Sequence, residues 1–448
     1  MTRLGNDRAL SLAETVLHTD GADAVEIVIT TSDSALTRYA DSRIHQNTAR
    51  DDGDARIRVV VDGARIGVVA TNDLSVESLR AAAAAAVESA RVTPPDPTYA
   101  GLAQPAPYPD AGHYDPGTAE CSPAERADRV ARMLRELPSG VLGSGAVETG
   151  ASELIVANSN GVRGYSLTTR ANTVILASGD DSTGYAEDTS SRFGDIDVER
   201  LARRAAAKVE LGRNPRDVPP GDYAVVLEPA ATATLVEFMC YIAFNGKEIA
   251  EDRSPLSGRI GEQVCDPRVT IVDDALSDVL PGVPFDFEGV AKRRLPLIDK
   301  GVATGVVHDL ATAHAAGAEP TGHGLPAPNP EGGFPLHPVM DAGDTSYDDL
   351  VAGMSRGLIV TRFHYTNIVN PMDTSITGMT RDGTFLVEDG KVVGGVRNMR
   401  FTQSILEALS SLEAIGAERE TSSELFFGAA HTPAVRLSRF AFTSSTSF

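Results

Sequence analysis

Six polar side chains crowd one short stretch of this chain. Thr361-Arg-Phe-His-Tyr-Thr-Asn367 is followed by Thr377-Gly-Met-Thr-Arg-Asp-Gly383 and then by Val396-Arg-Asn-Met-Arg-Phe401. The runs between them suit strands, and Asp382-Gly383 and Asp389-Gly390 favour the tight turns of hairpins. A meander of this kind would gather Arg362, His364, Tyr365, Arg381, Asn398 and Arg400. Guanidinium and imidazole groups on one wall bind carboxylates and peptide carbonyls, so the stretch is a candidate wall for a peptide or another polar ligand. Strand alternation puts Arg362 with His364 on one face, and Phe363 with Tyr365 on the other. The same pattern also suits the solvent face of an ordinary antiparallel sheet.

Other chemistry is sparse. The glycines are scattered as turns require rather than gathered into a phosphate loop. Cys121, Cys240 and Cys265 form no CxxC pair. His308 and His314 are six apart, about 240° around a helix, which is wrong for a shared metal. With His323 they suit a solvated helix and a following Pro320-Thr-Gly322 turn.

The net charge of −22 excludes the basic footprint that nucleic acid needs, and it disfavours anionic membrane surfaces. Three widely spaced cysteines fit a reducing compartment. The start, Met1-Thr-Arg-Leu-Gly-Asn-Asp, lacks a charged-then-apolar leader pattern, and no apolar run approaches a membrane span. A cytoplasmic chain is expected.

The elements that would position these residues form an α+β fold. Two N-terminal helix/antiparallel-meander units precede a larger C-terminal domain of mixed antiparallel sheet and helix. The first unit covers residues 1–92: a helix at Asp7–His18, five short strands with turns at Asp52-Gly53 and Asp62-Gly63, and an alanine-rich helix from Ser75 to Val92. Residues 93–121 are a proline-rich connection. The second unit, 122–213, opens with a helix that Ser122 and Glu125 cap. It continues through three strands to a helix at Val198–Leu211. The C-terminal domain spans 221–448, with helices expected at Pro229–Phe244, His308–Gly317, Tyr347–Ser355 and Gln403–Ala414.

Arg362-Phe-His-Tyr365 with Thr377-Gly-Met-Thr-Arg-Asp-Gly383 resembles the C-terminal domain of the TldD/TldE (PmbA) family of zinc-peptidase-related proteins. The resemblance runs from about Ala9 to Phe442 and is strongest after Gly221. In that family the catalytic subunit carries His-Glu-x-x-x-His on the helix that opens the C-terminal domain, with a cysteine near the C-terminus. The corresponding helix here reads Leu235-Val-Glu-Phe-Met-Cys-Tyr241. Glu237 is retained, but Val236 and Tyr241 stand at the ligand positions. Valine has no donor atom, and a phenol is a poor zinc ligand at neutral pH. Ser423 to His431 contains no cysteine.

The resemblance therefore implies a TldE-like subunit without zinc of its own. It would form a heterodimer with a zinc-bearing TldD-like chain, complete a chamber, and position a peptide or small amide substrate. Two rivals stay open. One is an autonomous, metal-free hydrolase with Glu237 as base near Tyr241 or His364; the other is a stand-alone peptide-binding module.

Overall fold

The computed structural model describes residues 3–423 and 428–445. The N-terminal half begins with α1 (Asn6–Glu14), β1 (Ala24–Ala40), β2 (Arg43–Val61), β3 (Arg65–Thr71) and α2 (Val76–Val92). The proline-rich connection holds one short helix near its end, α3 (Pro116–Ala119), and after it come α4 (Pro123–Arg135), β4 (Leu142–Asn158), β5 (Arg163–Ser178), β6 (Thr183–Ser190) and α5 (Val198–Gly212). The two meanders fuse into one six-stranded sheet of order β3-β2-β1-β4-β5-β6, joined by the antiparallel β1–β4 pair.

The caps explain where helices start. Ser75 accepts from the Ser78 amide, and Ser122 with Glu125 forms a reciprocal capping box. The alanine-rich face of α2 lies on the sheet, where the Gly67 backbone meets the Ala86 carbonyl so closely that a Cβ would collide.

Two expected turns lie elsewhere. Asp52-Gly53 sits inside β2, with Gly53 opposite Thr31, and the chain reverses instead at Asp41-Ser42, both with positive φ. The five short strands expected there are three, because β1 and β2 run unbroken as one long antiparallel pair, with β1 also paired to β4 from Glu26 to Tyr39. Asp382-Gly383 likewise falls within a continuous strand of the C-terminal domain as a bulge (φ 54° and 131°). Asp62-Gly63 and Asp389-Gly390 do turn the chain.

The C-terminal domain runs β7 (Gly221–Leu227), α6 (Pro229–Ile242), α7 (Gly246–Ala250), β8 (Ile271–Asp273), β9 (Leu295–Asp299), β10 (Val302–Ala303), α8 (Leu310–Ala316) and β11 (Pro338–Met340). It continues with α9 (Tyr347–Ala352), β12 (Arg356–Asn370), β13 (Ser375–Glu388), β14 (Lys391–Gly395), β15 (Met399–Ser404), α10 (Ile405–Ser410), β16 (Leu412–Ser422) and β17 (Ala430–Ser445). These strands build a mixed sheet with β17, β15, β13, β12 and β7 at its centre.

The helix expected at Gln403–Ala414 is only α10. Gln403 still belongs to β15, where it pairs with Ile376, and Ala414 pairs with Arg436 in the next ladder. One face of the sheet packs on α6 through a core that includes Leu235, Phe363, Phe401 and Phe440. The other face carries Val226, Ile359 and Phe385 under α9.

Candidate functional site

The outer platform is set by strand register. His364 on β12 lies opposite Met379 on β13, which lies opposite Arg400 on β15. Directly paired residues share a face, so these three side chains form one row. Phe363 and Phe401 point the other way, with ring centroids 4.4 Å apart in the core. Arg362 and Arg381 pair one step along. Arg381 and Asn398 line a groove of about 350 Å3 whose far wall is the β5–β6 turn with Asp180 and Asp181. Arg400 and Arg381 are exposed.

Arg362 has a different situation. It is 8% exposed. Its Nε and Nη2 donate to Asp382 Oδ2 at 2.8 and 2.6 Å, and its guanidinium lies 4.2 Å from the centroid of the Tyr185 ring. Asp382 Oδ1 accepts from Thr183 Oγ1 at 2.8 Å. Arg362 thus clamps the C-terminal sheet to β6 of the N-terminal sheet.

Tyr365 also departs from expectation. Alternation would put it with Phe363, in the core. Instead the pairing slips between His364 and Asn367, Tyr365 takes φ 54°, and the ring is 76% exposed, edge-on to His364 at 5.2 Å. A bulky residue in the left-handed region is strained, and here it holds an aromatic ring in solvent beside the polar row.

α6 carries the positions where the resemblance places metal ligands. Pro229 opens the helix at its first turn, where a missing N–H costs nothing. Val236 is fully buried in the main core, whereas Tyr241 is half exposed and meets Phe334 edge-on at 6.1 Å. Glu237 is buried one turn before Cys240. Burial raises the Cys240 thiol well above its usual value, and Asp273 and Glu237 add to the rise. Burial also pushes Cys265 up to about 12 and raises Cys121, so none of the three is a ready thiolate.

Zinc needs several converging nitrogen, sulfur or oxygen donors. Among the described residues no three His, Cys, Asp or Glu side chains converge as a ligand set. Part of the C-terminal stretch where the family's cysteine would fall, 424–427, lies outside the described residues, and its sequence holds no cysteine. The residues at these positions do not fit zinc.

Two buried polar clusters escaped the sequence reading. In the first, His323 Nε2 lies 3.0 Å from Asp273 Oδ1, while the His337 amide donates to Asp273 Oδ2 at 2.8 Å. Burial alone would raise Asp273, but His323, Lys292 and His337 outweigh it and hold the carboxyl well below the usual range. Burial, with Lys292 nearby, takes His337 down to about 3. His323, expected in a solvated segment, is 2% exposed. Its signal was Asp273 at the end of the apolar run Val269–Val272, where an acid must find a buried partner.

The second cluster joins the domains. Lys208 Nζ donates to Glu228 Oε2 at 2.5 Å, and the Tyr347 hydroxyl donates to Glu228 Oε1 at 2.8 Å. Arg204 pairs with Glu420. Burial pulls Lys208 down, while Lys208 and Arg204 overcome burial and hold Glu228 low. Lys208 was legible in principle: it sits on the apolar face of α5, seven residues after Leu201.

Comparison with known proteins follows this architecture. The models of the PmbA/TldA metallopeptidase match as domain 1 over residues 25–90, as the central domain over 117–212, and as the C-terminal domain over 220–444. The metalloprotease PmbA of Escherichia coli O157:H7 is 26% identical over 438 residues, 93% of this chain and 92% of the relative. A metalloprotease of Methanothermobacter thermautotrophicus is 25% identical over 50% of this chain and 49% of its own. The chain spans about half the length of the first curated relatives it matches. The crystal structure of TldE from Thermococcus kodakarensis superposes with a TM-score of 0.87 at 22% identity, covering 97% of this chain and all of the other, which establishes a shared fold. With three successive domain models matched in order along one chain, this protein belongs to the PmbA/TldD metallopeptidase family.

Proposed function

We propose that this chain is the subunit without zinc in a two-chain PmbA/TldD-type metallopeptidase. Its partner would be a TldD-like chain that binds the metal. The observation that carries this reading is Val236: a donorless side chain, fully buried in the core, stands where an imidazole would be needed. The fold likeness to a TldE supports the same side of the family.

In this role the chain's own work is recognition. Arg400 and Arg381 offer charge to a peptide carboxylate or carbonyl. His364, Asn398 and the exposed Tyr365 ring offer hydrogen bonds and an aromatic surface. No described helix is long and apolar enough to cross a membrane; a cytoplasmic location is part of the proposal and rests on the three widely spaced, unbridged cysteines. Substrates on this reading are peptides or small amide-containing molecules.

A metal-free hydrolase built on Glu237 is the weaker reading. That carboxyl is 6% exposed, and a general base must reach the water it activates. The test is reconstitution. Peptide cleavage that appears only when this chain is mixed with a TldD-like, zinc-loaded partner supports the proposal; cleavage by this chain alone, resistant to chelator, overturns it.

A further inference from the structure

Between α5 and the C-terminal sheet lies a solvent-open cleft of about 840 Å3, within the roughly 300–1,000 Å3 of small-molecule sites. Its floor is the sheet face at Ile359, Phe385, Val392 and Ala434. Two large apolar side chains, Leu211 and Tyr347, are left substantially exposed along it. Its inner end is closed by the ionic cluster just described, Lys208 with Glu228 and Arg204 with Glu420.

The outer rim is arranged differently. Arg200 lies two turns before Lys208 on α5, on the same face. It forms no close salt bridge among the described residues, although its charge acts on the largely buried Asp188; Asp344, Asp348 and Glu418, which also line the cleft, are exposed. Two walls that only met as a domain seam would pair their opposite charges, as the inner end does. Here one cation and three exposed carboxylates line the same apolar-floored cleft and form no salt bridge with one another among the described residues.

We propose that this cleft binds a short peptide with free termini and an apolar side chain. The peptide carboxylate pairs with Arg200, the ammonium lies among Asp344, Asp348 and Glu418, and the side chain rests on the floor beside Leu211 and Phe385. The site is distinct from the β12–β13–β15 platform, and it stands whether or not the chain works with a zinc-bearing partner.

The probe is trileucine, titrated calorimetrically into the full chain, beside trileucine amide and N-acetyl-trileucine. Saturable binding of trileucine is expected. Amidation or Arg200→Ala should each weaken it about tenfold or more, the loss of one charge-assisted pair. Acetylation should weaken it as well. Ala207→Trp adds an indole at an exposed cleft position and should abolish binding while the circular dichroism spectrum and melting temperature are kept. Failure to bind trileucine, or binding indifferent to Arg200→Ala and Ala207→Trp, means a solvent-filled domain seam and overturns the proposal.

Discussion

Removing the Asp382 carboxylate tests whether Arg362 is a structural clamp or a ligand anchor. The two side chains are 10% and 4% exposed, so solvent screens their attraction little. Arg362 donates twice to one carboxylate oxygen, Thr183 donates to the other, and the guanidinium lies over Tyr185. Taking one partner from a buried ion pair costs about 3–5 kcal/mol, so Asp382→Leu should fall in that range. Arg362→Met loses the pair together with a cation–π contact of about 1–2 kcal/mol. Because each single change removes the same interaction, the double variant should cost less than the sum, with a coupling of about 2–3 kcal/mol. Domains need not unfold together, so the assay is hydrogen exchange of the β6 and β13 amides, where the clamp acts. Exchange unchanged in all three variants, with peptide affinity lost instead in Arg362→Met, would refute the clamp and return Arg362 to the ligand wall.

Three further outcomes follow from the geometry. Burial, reinforced by Asp286 and Glu26 against the pull of Arg58, pushes the Glu288 carboxyl up to about 8. The unfolded chain releases that proton near its ordinary value of about 4.3, so folded-state stability falls as pH rises between these limits; Glu288→Gln should stabilise the chain more at pH 8 than at pH 5 in urea unfolding, and an equal shift at both would contradict this. Glu237→Gln should change peptide cleavage by the reconstituted complex less than about tenfold, against the 10²–10⁴ that a general base contributes. Tyr365→Gly removes left-handed strain of about 1–2 kcal/mol, so the chain should melt no lower than before while peptide binding weakens; unaltered binding would remove Tyr365 from the site.

The sequence made most of the framework legible because local signals were strong. Ser75, Ser122 with Glu125, and Pro229 mark helix starts that the structure reproduces. The misplaced turns share one cause. Asp-Gly is a turn signal only when the flanking strands end there, and both Asp52-Gly53 and Asp382-Gly383 lie within longer ladders whose extent depends on partners far away in sequence. The row that His364 forms with Met379 and Arg400 was not legible, because it depends on the β12–β13–β15 register, which no local signal gives. Nor was the outward turn of Tyr365, because a one-position slip in pairing reverses every later side chain. Asp273 and Lys208 left a signal as ionisable groups in apolar surroundings, but their partners did not: His323 and Glu228 are 50 and 20 residues away in sequence and meet them only in the folded chain.

Metal analysis of the purified chain, alone and after mixing with a TldD-like partner, tests the main claim most directly. The account predicts no stoichiometric zinc on the lone chain, with zinc and peptide cleavage arriving together with the partner. One tightly held zinc per lone chain, lost on chelation together with unaided amide hydrolysis, would contradict it.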